Sequence, residues 1–355
     1  MISPLIHVAE MASYQLATLE DSQATSLAQN ESAFPMSPAA MAAGRSSMEQ
    51  TTLYPDPDWS TLRSSIADIH DLDPSNILCG AGSMELIGCI IRAYAGNGDS
   101  VVGTEYGYAF VETAAKQTQA TYVKAPEDDL TVSVDEILPT INNTTKIVFV
   151  CNPGNPTGTL VPNEDVLQLR SKMPDNVLLV VDQAYAEFSD HVQDPQEVFQ
   201  LATRSDTIVL RTFSKAYGLA GARVGWGYFP SRVLPEVRKL LNPNNVSITS
   251  QAIATAAMND QEYMASVVTE TAEIRNKFTD SIRSLGVRVP PSYTNFALLQ
   301  FDSPQIAHRI DEALKRNGLI LRSMGGYGLS DCLRVTICNQ STMDRVATII
   351  KNELH

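Results

Sequence analysis

The chain contains little cysteine and tryptophan, and its few cysteines are scattered. Among 355 residues there are five cysteines and two tryptophans. The cysteines form neither a CxxC pair nor a cluster with histidine; they are Cys79, Cys89, Cys151, Cys332 and Cys338. This spacing gives no sign of a zinc site or a disulfide framework, so we expect reduced thiols and no bound metal.

Basic residues and long apolar runs are also scarce. The 26 lysines and arginines face 40 acidic residues, which gives a net charge of -14. An acidic chain is a poor partner for nucleic acid, because phosphate binding needs a basic face. No run reaches the roughly 18 apolar residues of a membrane span, and Met1–Leu5 lacks the basic region of a signal peptide. We therefore expect a cytoplasmic protein with neither a nucleic-acid nor a membrane partner.

Strand and helix signals alternate along most of the chain. Continuous apolar runs at 146–151, 177–181 and 206–211 are typical of buried parallel strands. Strands separated by helices predict an α/β fold with a mostly parallel central sheet flanked by helices. The length favours two domains.

The pattern changes beyond about residue 240 and predicts a smaller α+β domain. Residues 250–285 are strongly helical, and two strands then alternate with two helices. We therefore predict three parts: an N-terminal arm at 1–30, a large domain at 31–245, and a small C-terminal domain at 246–355 that includes the connecting helix 250–285.

Lys215 is the first candidate for chemistry, because it directly follows the third apolar strand. Ligands of open α/β sheets bind where the strands end. A lysine at that place can form a Schiff base with an aldehyde cofactor. Thr212, Ser214 and Arg223 flank it in sequence, and they are suited to bind a phosphate group of the same cofactor.

Other polar groups follow the neighbouring strands. Asp182 ends the second run, where a carboxylate could keep a pyridine nitrogen protonated. Asn155 and Tyr185 carry neutral polar groups that could hydrogen-bond a hydroxyl on the same pyridine ring. The segment Gly82-Ser83-Met84 opens a helix, and helix N-termini bind phosphate. Each feature alone is common, but together and in this order they predict a pyridoxal 5′-phosphate (PLP) site.

From 27–31 to the last helix, the chain resembles the histidinol-phosphate aminotransferase family of fold-type I PLP enzymes. The resemblance implies a homodimer with shared active sites, in which Tyr54 reaches the cofactor phosphate of the neighbouring subunit. It implies that Tyr106 stacks on the cofactor ring and that Ser83 and Met84 bind its phosphate through their backbone. The remaining cofactor residues that it implies are Asn155, Asp182, Tyr185, Thr212, Ser214, Lys215 and Arg223.

The same resemblance gives expectations for the reaction and its substrates. Lys215 would anchor the cofactor and then act as the general acid and base. Arg334 would hold the anionic group of the substrate, and Arg322 and Tyr14 would bind the phosphate of histidinol phosphate. The implied amino acceptor is 2-oxoglutarate, and the implied role is amino-acid biosynthesis.

Two departures from the family pattern leave the substrate open. Gln183 stands where the family usually has glutamate, and residues 338–340 replace a usual Gly-Thr segment. Aromatic amino acids are the main alternative substrates. A threonine-phosphate decarboxylase is a second alternative, although Tyr185 fits the aminotransferase pattern better. A PLP-binding regulator would need an added DNA-binding domain, for which the chain has no spare length.

Overall fold

The computed structural model describes residues 2–13, 24–204 and 206–354. Its helices are α1 (Ile6–Ala9), α2 (Pro38–Ser47), α3 (Ser60–His70), α4 (Ser83–Tyr94), α5 (Ala109–Gln117), α6 (Val134–Ile137), α7 (Asn163–Lys172), α8 (Phe199–Arg204), α9 (Leu234–Arg238), α10 (Ile248–Met258), α11 (Gln261–Arg283), α12 (Pro304–Arg316) and α13 (Gln340–Leu354). Within the described residues, no helix combines the length and the apolar character needed to cross a membrane.

The strands are β1 (Thr25–Ser26), β2 (Ile77–Gly80), β3 (Ser100–Thr104), β4 (Thr121–Ala125), β5 (Glu127–Asp128), β6 (Thr131–Val132), β7 (Thr145–Cys151), β8 (Leu178–Asp182), β9 (Thr207–Thr212), β10 (Gly225–Tyr228), β11 (Phe296–Gln300), β12 (Leu319–Ile320), β13 (Arg322–Ser323) and β14 (Cys332–Thr336). The three apolar runs of the sequence are β7, β8 and β9, with bounds that differ by a residue or two.

A seven-stranded sheet forms the centre of the fold, with the order β2-β10-β9-β8-β7-β3-β4. The pairs from β9 through β4 are parallel, whereas β10 runs antiparallel to both of its neighbours. Both faces are covered by helices, which explains why β7, β8 and β9 consist of almost entirely buried residues. The mostly parallel sheet that we predicted is thus present.

The carboxyl ends of β7, β8 and β9 meet at one edge of this sheet. Cys151 pairs with Asp182, and Asp182 pairs with Leu210. The loops that follow these strands therefore start side by side. This register brings the Asn155, Asp182 and Lys215 segments together at the edge where ligands bind.

A second, smaller sheet has the order β11-β14-β13 and packs with α11, α12 and α13 around its own apolar cluster. Leu27, at the end of the N-terminal segment, is buried in this cluster, and β1 pairs in parallel with β12. This attachment of residues 25–27 was not expected from the sequence. The domain boundaries near 30 and 245 stay predictions.

Candidate active site

Asp182 is the last residue of β8 and is buried, with 3% of its surface exposed. Its Oδ1 accepts a hydrogen bond from Ala184 N at 3.1 Å. Burial raises the pKa of this carboxyl to about 7, and the Ala184 N–H and the Lys215 cation oppose that rise. A carboxylate kept so far from water needs a cationic or N–H partner, which a protonated pyridine nitrogen would supply.

Lys215 points its amine towards the N-terminal segment. Nζ donates to the carbonyl oxygens of Asn30 at 2.9 Å and Gln29 at 3.2 Å, and it lies 5.7 Å from the centre of the Tyr185 ring. Burial of the amine, together with the positive charge of Arg334, lowers the pKa of Lys215 to about 7. A lysine with this pKa carries a neutral, nucleophilic amine over much of the physiological pH range.

Hydroxyl and guanidinium groups surround the start of α4. Thr212 Oγ1 donates to Ser214 Oγ at 3.1 Å, and Arg223 Nη1 approaches the same Ser214 oxygen at 3.4 Å. Gly82 precedes α4 with φ of +81°, and a Cβ built there would overlap Nη2 of Arg223. The glycine is therefore required both by its backbone conformation and by the guanidinium above it.

This arrangement fits an anionic group such as the phosphate of PLP. A fixed cation, two hydroxyls and the first N–H groups of a helix of 12 residues converge on one place. Ser83 begins α4 and Met84 follows it with 39% of its surface exposed. The structure thus brings together Gly82, Ser83, Met84, Thr212, Ser214 and Arg223 around the start of α4; their role in binding a phosphate stays a prediction.

Tyr185 and Asn155 both lie near Arg334. The Tyr185 hydroxyl accepts a hydrogen bond from Asn30 Nδ2 at 3.0 Å, and burial raises the pKa of that hydroxyl. Arg334 Nη1 donates to Asn155 Oδ1 at 2.6 Å, while Nη2 donates to the Ala28 carbonyl at 2.8 Å. Arg334 is therefore held in place at the junction of the two sheets.

Arg322 lies next to Arg334 in the small sheet. It is the residue of β13 directly opposite Arg334 of β14 in an antiparallel pair. Opposed residues project from the same face of a sheet. The two guanidinium-bearing residues that the sequence assigned to the substrate are therefore neighbours in the fold.

The three tyrosines that the sequence predicted for the site differ in where they lie. Tyr106 follows β3, and its half-buried ring packs against a small cluster that contains Leu298 and Cys332; burial raises the pKa of its hydroxyl. Tyr54 lies between α2 and α3 with 87% of its surface exposed. Tyr14 lies outside the described residues.

Asn30 is a site residue to which the sequence analysis gave no role. It is 1% exposed and has φ of +55°, a conformation that asparagine tolerates better than most residues. Besides its bonds to Tyr185 and Lys215, its N–H donates to Thr336 Oγ1 at 2.9 Å and its carbonyl accepts from Asn295 Nδ2 at 3.1 Å. Only the Asn-Glu pair at 30–31 signals it in the sequence.

Gln183, the first departure from the family pattern, hydrogen-bonds residues outside the candidate site. Its Oε1 accepts from Arg211 Nε at 3.1 Å, and Arg211 Nη1 lies 3.1 Å from Glu187 Oε1 in a buried ion pair. Asn339, in the second departure, caps α13, since its Oδ1 accepts from Thr342 N at 3.0 Å. Neither residue replaces a group of the site.

Comparisons with known proteins agree with this geometry. The family model described as aminotransferase class I and II matches residues 22–350. A histidinol-phosphate aminotransferase of Ruegeria sp. is 39% identical over 331 residues, covering 93% of this chain and 91% of the relative. That of Paramagnetospirillum magneticum is 42% identical, covering 88% of this chain and 86% of the relative.

Solved structures share the fold. The histidinol-phosphate aminotransferase of Sinorhizobium meliloti, solved in complex with pyridoxal-5′-phosphate, superposes with a TM-score of 0.88 at 28% identity, covering 93% of this chain and 90% of that one. The family match spans both sheets and every candidate residue above except Tyr14. The chain therefore belongs to the aminotransferase class I and II family and is an aminotransferase.

Proposed function

We propose that this aminotransferase uses PLP to move the amino group of histidinol phosphate to 2-oxoglutarate. The observation that carries the proposal is that Lys215 lies close to both Asp182 and Arg334 at the carboxyl edge of the central sheet, with Arg322 directly opposite Arg334 in the small sheet. The relatives that match most of the chain are named histidinol-phosphate aminotransferases, which favours this substrate over an aromatic amino acid.

The residues present fit PLP. The cradle of Gly82, Ser83, Thr212, Ser214 and Arg223 would hold the phosphate. Met84 would add a backbone N–H there, and Tyr106 would cover the ring. When bound, PLP supplies an aldehyde carbon and a ring that accepts electrons from the substrate.

The buried polar groups of the site would then each have a role in holding the cofactor or in the reaction. Asp182 would hold a proton at the pyridine nitrogen, because its buried carboxylate gains a cationic partner there. Asn155 and Tyr185 would hydrogen-bond the ring hydroxyl. Lys215 Nζ would hold the cofactor covalently and, once free, would take the proton from the substrate's α carbon, which its lowered pKa favours.

The paired arginines would bind the substrate. Arg334, held by Asn155 and the Ala28 carbonyl, presents a fixed guanidinium to an anionic group, and 2-oxoglutarate would use the same cation in the second half-reaction. Arg322 would bind the phosphate of histidinol phosphate, together with Tyr14. The phosphate is the anionic group of histidinol phosphate, and two neighbouring guanidinium groups can share its charge.

We further propose that the enzyme is a cytoplasmic homodimer with shared active sites. Tyr54 and Leu53 are 87% and 70% exposed, and Met48 is 60% exposed on the same stretch. Exposed apolar side chains in one segment favour a protein interface. Tyr54 would reach the phosphate cradle of the partner, which agrees with its exposure in the single chain.

Amino transfer measured as glutamate formation tests the proposal. Purified holoenzyme with histidinol phosphate and 2-oxoglutarate should form glutamate, whereas Lys215→Ala should form almost none. Arg345→Gln, on the exposed face of α13, is the matched surface control and should behave as wild type. Substantial turnover by Lys215→Ala would refute the assignment of the lysine. Release of CO2 from threonine phosphate, which carries the carboxylate that histidinol phosphate lacks, would indicate the decarboxylase alternative.

A further inference from the structure

A second pocket lies outside the candidate active site, between α11 and the segment before β11. Its volume is about 580 Å³, within the range of about 300–1,000 Å³ usual for small-molecule sites. Its wall includes His191, Arg275, Asp280, Arg283, Ser292 and Tyr293. None of these residues belongs to the cofactor or substrate site.

Arg275 is the unusual member of this wall. Only 4% of its surface is exposed, and its Nη1 donates to the Thr294 carbonyl at 2.8 Å. Among the described residues it forms no ion pair with a carboxylate. Burial lowers the pKa of Arg275 to about 10. A buried charge without a counter-charge is costly, so such groups are normally paired.

The other charges of the pocket do not compensate Arg275. Asp280 is the acidic residue of the wall, and its Oδ1 already lies 3.1 Å from Arg283 Nη1. Arg283 also donates to the Val289 carbonyl through Nε and Nη2 at 3.1 and 3.0 Å. The wall therefore keeps an excess of positive charge in a protein whose net charge is -14.

Neutral groups complete the pocket. The rings of His191 and Tyr293 stack with centroids 6.4 Å apart, and Ser292 provides a hydroxyl beside them. An imidazole, a phenol and a hydroxyl around a guanidinium are the hydrogen-bonding groups that oxyanions prefer.

We propose that this Arg275 pocket binds a small oxyanion, a phosphate or carboxylate group carried by a ligand that is not the substrate of the aminotransferase site. The bound anion supplies the counter-charge that Arg275 lacks. The site is built from the connecting helix α11, the His191 loop and the segment 289–294. The proposed oxyanion site does not depend on which amine the aminotransferase site takes.

Thermal unfolding of the PLP-loaded enzyme tests this proposal. Phosphate, sulfate and acetate are titrated at constant ionic strength set with sodium chloride, because an anion that binds the folded state raises the unfolding temperature. Wild type should gain stability from at least one of these anions. Arg275→Gln should lose that gain, with at least about tenfold weaker binding by calorimetry.

Three controls separate this site from other anion sites. Arg309→Gln, on the exposed face of α12, should respond as wild type. Arg322→Gln removes a cation of the substrate site and should keep the response. His191 lies on an exposed loop in the wall of the pocket. His191→Ala should weaken anion binding without preventing folding, so it tests the pocket even if Arg275→Gln does not fold.

The comparison of anions identifies the ligand class. A stronger response to phosphate and sulfate assigns the pocket to phosphate groups, and a stronger response to acetate assigns it to carboxylates. An equal response of wild type and Arg275→Gln overturns the proposal, as does the absence of any response. In that case Arg275 only ties α11 to Thr294.

Discussion

Arg322 and Arg334 stand directly opposite each other in the antiparallel pair of β13 and β14. They share a face of the small sheet, but their surroundings differ. Arg334 is buried and held by Asn155 and the Ala28 carbonyl, whereas Arg322 is half-buried. One fixed cation and one more accessible cation suit a phosphate group, whose double charge two guanidinium groups can bind together.

The two arginines should therefore differ in which substrates they affect: Arg322 only histidinol phosphate, and Arg334 both histidinol phosphate and 2-oxoglutarate. Arg322→Gln should raise KM for histidinol phosphate by about ten- to hundredfold, the cost of a lost charged hydrogen bond, and leave KM for 2-oxoglutarate nearly unchanged. Arg334→Gln should raise both. Steady-state kinetics of the two half-reactions check this. Equal effects of Arg322→Gln on both substrates would contradict a separate phosphate role.

Asn30 should position the site through its side chain and its backbone separately. Asn30→Ala removes the bond to Tyr185 and places alanine at φ of +55°, so both turnover and thermal stability should fall, the latter by about 1 kcal/mol. Asn30→Gly tolerates the backbone conformation. It should recover most of the stability but not the turnover. Recovery of both in Asn30→Gly would show that the side chain has no role in the site.

The pH dependence of cofactor loading should follow the amine of Lys215. Its pKa is lowered from 10.5 to about 7, chiefly by burial, and only the neutral amine attacks an aldehyde. The rate of covalent PLP loading into apoenzyme should therefore rise with pH through about 7 and then level off. Stopped-flow absorbance measures it. A rate that keeps rising tenfold per pH unit up to about pH 10 would indicate an ordinary lysine.

Asp182→Asn should keep the shape of the site and remove its charge. Without the carboxylate, a protonated pyridine nitrogen loses its partner, so turnover should fall at least about a hundredfold while covalent loading by Lys215 persists. Absorbance of the loaded variant and its single-turnover rate check both expectations. Near-normal turnover would show that Asp182 does not act at the ring nitrogen.

Much of this architecture was predictable because buried parallel strands leave a strong signal. Runs such as Ile147–Cys151 are apolar on both faces, so their position and the chemistry at their ends follow from the sequence. The family prediction is confirmed by the match over residues 22–350. The individual site roles, the homodimer and the domain boundaries stay predictions.

Structural features that depend on contacts between residues far apart in the sequence could not be predicted from local sequence patterns. The strand β10 has only four residues, Gly225–Tyr228, two of them glycine, and glycine normally weakens a strand. Gly225 lies so close to the start of α4 that a Cβ would overlap Ser83 N, so this contact, and not strand propensity, requires the glycine. In the same way, the role of Asn30 arises from Thr336 and Asn295, more than 260 residues away.

In the proposed reaction histidinol phosphate gives its amino group to the cofactor held by Lys215, and a single-turnover absorbance spectrum tests this transfer most directly. The PLP-loaded protein is mixed with histidinol phosphate, and separately with phenylalanine, without an amino acceptor. We predict that the band of the covalently bound cofactor is replaced by the pyridoxamine band on histidinol phosphate and not on phenylalanine. The reverse preference, or no change with either amine, would contradict the account.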